Sequence, residues 1–485
     1  MRRSFLSCAA IAVLAFPCPA AEPATTPETL IRLTVQPAPA PKPALRYLLL
    51  PELNELNPGN PCYNYLKCFM EQQKFFFDKE SFQRREKLLV MPLKELPARE
   101  LQDYGSFALR QADWAARLDK PDWQILIKLK TDGVGLLLPD LQQMRQLASA
   151  LKVRFRAEVA LGRFDDALRT AKTLFAMTRH LGEHPTFIGG LVAIAVASVT
   201  LGPLEEMLQQ PGCPNLYWAL TNLPKPLVLL DKGAEGERAS IAGEFRDLDE
   251  TAPMSPEQLA RFIAHMDHIL SEGKPIKPGD GVRGFLNARS KDEGKLGAAR
   301  RRLVDSGLPE ERVLRFPADQ VILLDEKREF EVRRDDIFKL LNLPTWQIEA
   351  LAAKTRPFGL VPKSELPDPA KEPALFADAF VPALFRIHQV QGRLEQRIAL
   401  LRHVEALRMY AAEHNGTLPA KLADIAVPLP DDPFTGKPFR YERIGATAHL
   451  RGTPPLGREK EAPFNVHYEI TLQKSDVGSQ RSAKK

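Results

Sequence analysis

The sequence has little excess charge, few cysteines and few stretches that alternate like β-strands. Its 67 basic and 61 acidic residues leave a formal charge of +6 over 485 residues, which gives no general argument for a nucleic-acid binder. None of the five cysteines has a neighbour at the spacing of a zinc site. With 44% hydrophobic and 26% charged residues, the chain can still bury a core, so global disorder is excluded. The length fits two or three domains.

The N-terminus has the three-part layout of a secretory signal peptide. Two arginines precede an apolar run at 5–16, and small residues follow as far as Ala21. This pattern predicts a signal peptide over 1–21 and a secreted, periplasmic or cell-envelope location. A lipoprotein acylated at Cys18 is disfavoured by the proline before it, and an uncleaved anchor is disfavoured because the apolar run is short for a membrane span.

Cleavage there would leave an odd set of three cysteines in an oxidising compartment, Cys62, Cys68 and Cys213. At least one of them must then stay unpaired or pair between chains. If 62–78 is helical, Cys62 and Cys68 lie roughly 9 Å apart along the axis, too far for a disulfide. A bridge from Cys213 to either one and three buried thiols both stay open.

Proline and glycine positions divide the rest of the chain. The pattern from 45 onward is mostly one of successive helices with proline or glycine between them. We predict a mainly α fold, made of stacked helical hairpins followed by a small C-terminal α+β module. The predicted segments are a Pro-rich, disordered or polyproline-like linker (22–44), a helical array (45–272), a basic flexible connection (273–292), a helical continuation (293–372), a long helix with an antiparallel sheet (376–474) and a disordered tail (475–485).

The array prediction depends on one helical hairpin and its apparent copy. Helices over 140–161 and 164–181 should pack antiparallel around Gly162. The pattern Leu-Gly, apolar residue, two acids, Leu recurs forty residues later at 201–208, where it predicts a second helix end, turn and helix start. The segment 157–174 resembles one tetratricopeptide repeat, which implies helix-pair stacking without a full tandem array.

Twenty consecutive uncharged residues run from 185 to 204, so 187–201 could be a membrane helix. Glycine, serine, threonine and proline dilute its hydrophobicity. We favour a helix buried in the array, and membrane integration is not expected.

The segment 274–302 contains nine basic and three acidic residues, an excess of +6. It could bind an anionic ligand weakly, such as a glycan or a lipid headgroup. Only Phe285 is aromatic, so specific nucleic-acid binding is not expected. A mobile, solvated connection is the alternative.

The C-terminal hundred residues combine two periodicities. Apolar residues at steps of three or four predict a long helix after Pro382, and alternation at 466–472 predicts a strand. A tyrosine-ended helix at 407–410, an Asn-Gly-x-x-Pro turn at 415–419 and an Asp-Pro run at 432–441 follow one another. This succession resembles the soluble part of the major pseudopilins of type II secretion. The resemblance implies a shared small fold but not pilus assembly, because no polymerising apolar helix precedes the module.

The whole chain also resembles uncharacterised secreted bacterial helical proteins that end in such a pseudopilin-like module. That resemblance implies no activity, cofactor or site residue.

Several short motifs match reactive sites without the context that their chemistry needs. The H-x-x-E-H spacing at 180–184 suits zinc, but Pro185 and Gly182 indicate a surface helix end. The G-x-G-x-x-G at 279–284 follows no strand, so we expect a loop. The S-x-x-K at 149–152 lacks companion motifs and indicates a helix surface.

His265 and His268 should face solvent on one helix. The acidic residues at 235–249 would act as acid and base only if two of them faced each other in a pocket.

We therefore predict no catalytic residue, no cofactor and no metal ligand from the sequence. The expected function is that of a secreted cell-envelope protein, a non-catalytic binding protein with a protein or envelope-polymer partner. The alternative is an envelope glycan hydrolase using carboxylates of the helical region, which a deep cleft with two carboxylates, or with one carboxylate beside His265, would favour. A membrane-embedded subunit is the third possibility. Whether the chain is an enzyme stays open, with the weight against it.

Overall fold

Helices make up most of the chain. The computed structural model describes residues 27–271, 273–277, 280–355 and 374–473. The predicted signal peptide (1–21), the predicted tail (475–485) and 356–372 of the predicted helical continuation lie outside the described residues. In chain order the helices are α1 (Pro61–Glu71), α2 (Gln73–Phe77), α3 (Lys79–Val90), α4 (Ser106–Ala115), α5 (Leu126–Asp132), α6 (Pro139–Ala160), α7 (Phe164–Gly182), α8 (Phe187–Leu208), α9 (Tyr217–Thr221), α10 (Asp231–Glu244), α11 (Pro256–Leu270), α12 (Gly281–Ser290), α13 (Glu293–Asp305), α14 (Glu310–Arg315), α15 (Ala318–Phe338), α16 (Thr345–Thr355) and α17 (Ala377–Glu413).

The strands form one small sheet at the C-terminal end of the fold. They are β1 (Thr29–Val35), β2 (Arg440–Ile444), β3 (Thr447–Arg451) and β4 (Val466–Leu472), in the spatial order β1-β4-β3-β2. The predicted mainly α fold with a C-terminal α+β module is confirmed. The sheet is mixed rather than antiparallel, because β1 pairs parallel with β4.

β1 corrects the prediction of a disordered or polyproline-like linker over 22–44. Its alternating apolar residues turn Leu33 and Val35 into the core, and Leu33 lies opposite Ile470 of β4. An isolated edge strand has no reason to form, so this one depends on its partner. The sequence did not indicate this strand, because prolines flank it and the strand it pairs with, β4, lies more than 400 residues away.

The predicted hairpin around Gly162 is confirmed as α6 and α7. Gly162 has a φ of +70°, the left-handed backbone that ends a helix most readily with glycine. The apparent copy is different, because α8 runs without a break through Gly202 and Pro203 to Leu208. The prediction of a second turn at 201–208 is therefore wrong.

α8 lies at the centre of the helical part. It packs against α6, α7, α10 and α17. Among the described residues it is the one helix long and apolar enough to cross a membrane, and 67% of its most apolar window is buried inside the fold. A helix that is apolar all round is typical of both a protein core and a membrane span, and α8 has the packing partners of a core helix.

The predicted flexible connection at 273–292 is also corrected, because α12 occupies 281–290. Its Val282 and Leu286 are buried, and Arg289 forms a 2.6 Å ion pair with Glu326 of α15. Its positive charges suggested a solvated linker because the carboxylates that pair with them lie on another helix, α15, far along the sequence.

A buried polar cluster joins α17 to the N-terminal segment. Glu405 and Arg408 form an ion pair at 2.8 Å with both side chains almost fully buried. Glu405 also accepts from the Leu216 amide at 2.8 Å, and Arg408 donates to the Gln36 carbonyl at 2.9 Å and the Cys213 carbonyl at 2.8 Å. Each charge is paired and hydrogen-bonded, as a buried ion pair requires.

Candidate functional site

The H-x-x-E-H motif lies at the end of α7, as predicted, but not at the surface. His184 is fully buried, its Nδ1 lies 2.9 Å from the Thr186 hydroxyl, and its ring meets Trp123 edge-on. His180 Nδ1 lies 3.0 Å from the Tyr65 hydroxyl. Burial lowers the pKa of each histidine to about 4. The two rings have separate partners, and both are neutral at pH 7, His184 in the core and His180 partly buried.

The described residues of the other two motifs lie in α6 and at the start of α12. The Ser149 hydroxyl donates to the Arg145 carbonyl within α6 at 3.1 Å, which confirms the helix-surface interpretation. Irregular backbone at 274–277, not a strand, precedes the glycine motif, as expected, but its second half begins α12 at Gly281. Pro278 and Gly279 lie outside the described residues.

A carboxylate at the end of α10 contacts a histidine of α11. His265 and His268 are exposed, as predicted, but His265 Nε2 lies 2.7 Å from Glu244 Oε2. Glu244 is buried, and its Oε1 accepts from the Val134 amide at 2.8 Å. The carboxylate lies so close to Gly133, whose φ is +55°, that a Cβ there would be 1.8 Å from Oε1. The Val134 amide therefore holds Glu244 in place beside His265, and only a glycine at position 133 leaves room for the carboxylate.

A second unusual carboxyl group lies on the same helix. Burial raises the pKa of Glu237 to about 7. Glu237 and Glu244 are seven residues apart, which corresponds to two helical turns and about 10 Å along the axis. Glu237 can exchange a proton near neutral pH, and Glu244 is paired with a histidine. Both kinds of group take part in acid–base chemistry.

One cavity lies in the basic segment, between α12, α13 and α15. Its volume is about 350 Å³, and its charged lining residues are Arg289, Asp292, Lys295, Arg302 and Asp325. Arg302 forms a bidentate pair with Asp325, with distances of 2.8 and 2.5 Å. Carboxylates already pair with Arg289 and Arg302, which reduces the positive charge offered to an anion. Weak binding of an anionic ligand at 274–302 therefore stays a prediction.

A smaller cavity of about 250 Å³ lies between β1, α6 and α8. Arg156 and Glu206 in its wall form an ion pair at 2.7 Å. Glu205 accepts from Tyr468 at 2.5 Å, and burial lowers the pKa of Lys152. The charged groups on this wall, apart from Lys152, have partners that belong to the fold.

Large apolar side chains are exposed on the paired helices α1 and α4. Tyr63, Met70, Phe107 and Trp114 are 58, 67, 42 and 50% exposed. Each pair is seven residues apart, so it lies on one face of its helix. Gln111 of α4 donates to Asn64 of α1 at 3.0 Å and joins the two helices. We call the four residues the α1–α4 face.

The sheet brings together three metal-ligand side chains that the sequence analysis did not name. His449, His467 and Glu469 offer ligand atoms within 4.8 Å of one another. The alternation at 466–472 could have indicated them, because it placed His467 and Glu469 together on the face opposite the apolar residues. The pairing with His449 on β3 could not be seen in the sequence.

Cys62, Cys68 and Cys213 are all buried in the structure, in keeping with the second of the two arrangements that the sequence left open. Burial raises the pKa of Cys62 and Cys213 to about 12. These two thiols are therefore protonated at neutral pH and poor nucleophiles.

No protein-family model, curated protein or solved structure matches the chain. The similarity to pseudopilins consequently remains a prediction from three short segments.

Proposed function

We propose that the chain is exported to the cell envelope and acts there as a non-catalytic binding protein with a protein partner. The α1–α4 face is the observation that carries this proposal. It presents two aromatic side chains with polar edges, a phenylalanine and a methionine. These residue types are enriched in protein interfaces relative to the rest of a protein surface.

Charges beside the α1–α4 face specify the partner further. Lys67 lies over the Tyr63 ring, with 4.8 Å between the ammonium nitrogen and the ring centroid. Arg110 is exposed one turn from both Phe107 and Trp114. A partner surface with apolar side chains and nearby carboxylates would complement this arrangement.

Export is tested by the mass of the native protein. We expect protein from the periplasmic or envelope fraction to begin at residue 21 or 22. A native chain that retains Met1, or that fractionates with the cytosol, would contradict the export part of the proposal.

Binding is tested by placing a photoreactive side chain at position 110 in intact cells. We expect a discrete adduct that disappears when Phe107→Ser and Trp114→Ser are combined. The matched control carries the photoreactive group at position 332, where Val332 is 61% exposed on α15. No adduct at 110, or the same adducts at 110 and 332, would contradict a binding surface on α1 and α4.

The pairing of Glu244 with His265 supports the alternative of an envelope glycan hydrolase. In that case wild-type protein releases soluble fragments from labelled envelope glycan, and Glu244→Gln lowers the rate about 100-fold or more. Glu235→Gln is the matched control, because Glu235 lies on α10 with its side chain 68% exposed. No release by the wild type, or equal rates in both variants, would remove this alternative.

A further inference from the structure

The outer face of the sheet presents a group of nitrogen and carboxylate donors. His449 on β3 lies directly opposite Glu469 on β4, and His467 is two residues before Glu469 on the same face. The other face of these strands packs into the core through Ala448, Leu450 and Ile470. Two rigid, hydrogen-bonded strands therefore fix the positions of all three donors.

The distances between the donor atoms suit one metal ion. His449 Nδ1 lies 3.1 Å from His467 Nε2 and 3.9 Å from Glu469 Oε1. Ligand atoms about 2.1 Å from a tetrahedral zinc ion are about 3.4 Å apart. Small side-chain rotations would bring these three atoms to that spacing.

Further contacts hold two of the donors in the required state. His467 is 3% exposed, and its Nδ1 lies 3.1 Å from Glu28 Oε1. That contact places the proton on Nδ1 and leaves the Nε2 lone pair directed at the cluster, the arrangement of carboxylate–histidine–zinc sites. Glu469 Oε2 accepts from Arg32 Nε at 2.9 Å, which leaves Oε1 for a metal.

A hydrogen bond donated by His449 Nδ1 to His467 Nε2 explains the short distance between these two nitrogens. Moving the His449 proton to its outer nitrogen, Nε2, exposes the Nδ1 lone pair without any change in charge. Two imidazoles and one carboxylate suit Zn²⁺ and similar transition metals, whereas Ca²⁺ and Mg²⁺ take oxygen ligands.

We propose that His449, His467 and Glu469 bind one divalent transition-metal ion, best matched by Zn²⁺, with a fourth position open to water. Glu28 and Arg32 are positioning residues, because they orient two of the ligands. The ion would join β3 to β4, and through these two residues it would secure the N-terminal end of the chain. The site is independent of the α1–α4 face and of Glu244.

The test uses tag-free mature protein, stripped with a chelator and titrated with Zn²⁺ and Co²⁺. We expect one ion per chain by calorimetry, the visible absorption of tetrahedral Co²⁺, and a rise in the unfolding temperature with Zn²⁺ but not with Mg²⁺. His449→Ala and Glu469→Gln should each weaken binding about 100-fold, and Glu28→Gln about 10-fold or more. His414→Ala is the matched control, because His414 is exposed at the end of α17.

Each variant is compared with the metal-free wild type by circular dichroism and unfolding temperature. Loss of binding counts only in a variant that folds, and Glu469→Gln is the mildest change. No Zn²⁺ binding by the wild type would overturn the proposal. It would also be overturned if folded His449→Ala and Glu469→Gln bound Zn²⁺ as the wild type does.

Discussion

Replacing Arg156 should destabilise the helical part strongly, because this side chain closes the end of another helix. Its guanidinium lies at the C-terminus of α3 and donates to the Leu88 carbonyl at 2.6 Å and the Met91 carbonyl at 2.5 Å. The last carbonyls of a helix lack partners within it and carry the negative end of its dipole. The same guanidinium also forms the ion pair with Glu206 of α8.

Arg156→Met keeps most of the side-chain volume and removes every one of these donors. Arg156 is 3% exposed, whereas the Glu206 side chain is 28% exposed, so Glu206 can recover part of its solvation. We expect a loss of about 3 kcal/mol in the free energy of unfolding, at the lower end of the range for a broken buried pair. Arg169→Met is the matched control, because Arg169 is 59% exposed in its pair with Asp166 and should lose at most about 1 kcal/mol.

Urea unfolding with an unchanged slope measures both losses, and hydrogen exchange of 79–91 reports on α3 itself. Glu206→Gln separates the two roles of Arg156. It should cost about 1 kcal/mol, because the bonds to the α3 carbonyls remain. A loss for Arg156→Met as small as that for Arg169→Met would refute the reasoning.

Three further predictions concern other parts of the chain. Burial raises the pKa of Glu237 to about 7, so the native state holds a proton that the unfolded chain releases, and the stability falls as pH rises from about 4.5 through 7. In urea unfolding, Glu237→Gln should have little effect at pH 5. At pH 8.5 it should add about 1 to 3 kcal/mol to the free energy of unfolding. Gly236→Ala would place a Cβ 1.9 Å from the Pro185 carbonyl oxygen and should lower the unfolding temperature, with a loss of about 3 kcal/mol. In the control Gly202→Ala the new Cβ meets nothing within 4 Å, and the free energy of unfolding should rise by up to about 1 kcal/mol. Equal losses of stability in Gly236→Ala and Gly202→Ala would contradict a steric clash at Gly236. A thiol probe at pH 8 should not label Cys62 or Cys213 in the native protein, and mass spectrometry should find three labels per unfolded mature chain, whereas five would mean that the leader is retained.

The sequence predicted those elements that depend on nearby residues. The turn at Gly162 needs only a glycine and two flanking amphipathic segments, and both were visible. The long helix α17 likewise follows from its own periodicity. The predicted turn at 201–208 does not form, because the packing of α8 against four other helices outweighs the local glycine and proline signals.

Features that depend on distant partners could not be predicted. The cations of α12 suggested a solvated segment until the carboxylates of α15 were placed opposite them. His265 was correctly expected at the surface, but its contact with Glu244 joins two helices whose relative positions no local pattern contains. The donors His449 and His467 become neighbours only through strand register, which no single segment of sequence contains.

The parallel pairing of β1 with β4 has a consequence for the order of folding. β1 (Thr29–Val35) and β4 (Val466–Leu472) lie on either side of all the described helices in the sequence, so their pairing forms only after the helical part has been synthesised. Such distant contacts form slowly compared with helical hairpins. The helices can therefore assemble around α8 before the sheet forms. A truncation before residue 466 would remove β4 and leave β1 without the strand it pairs with.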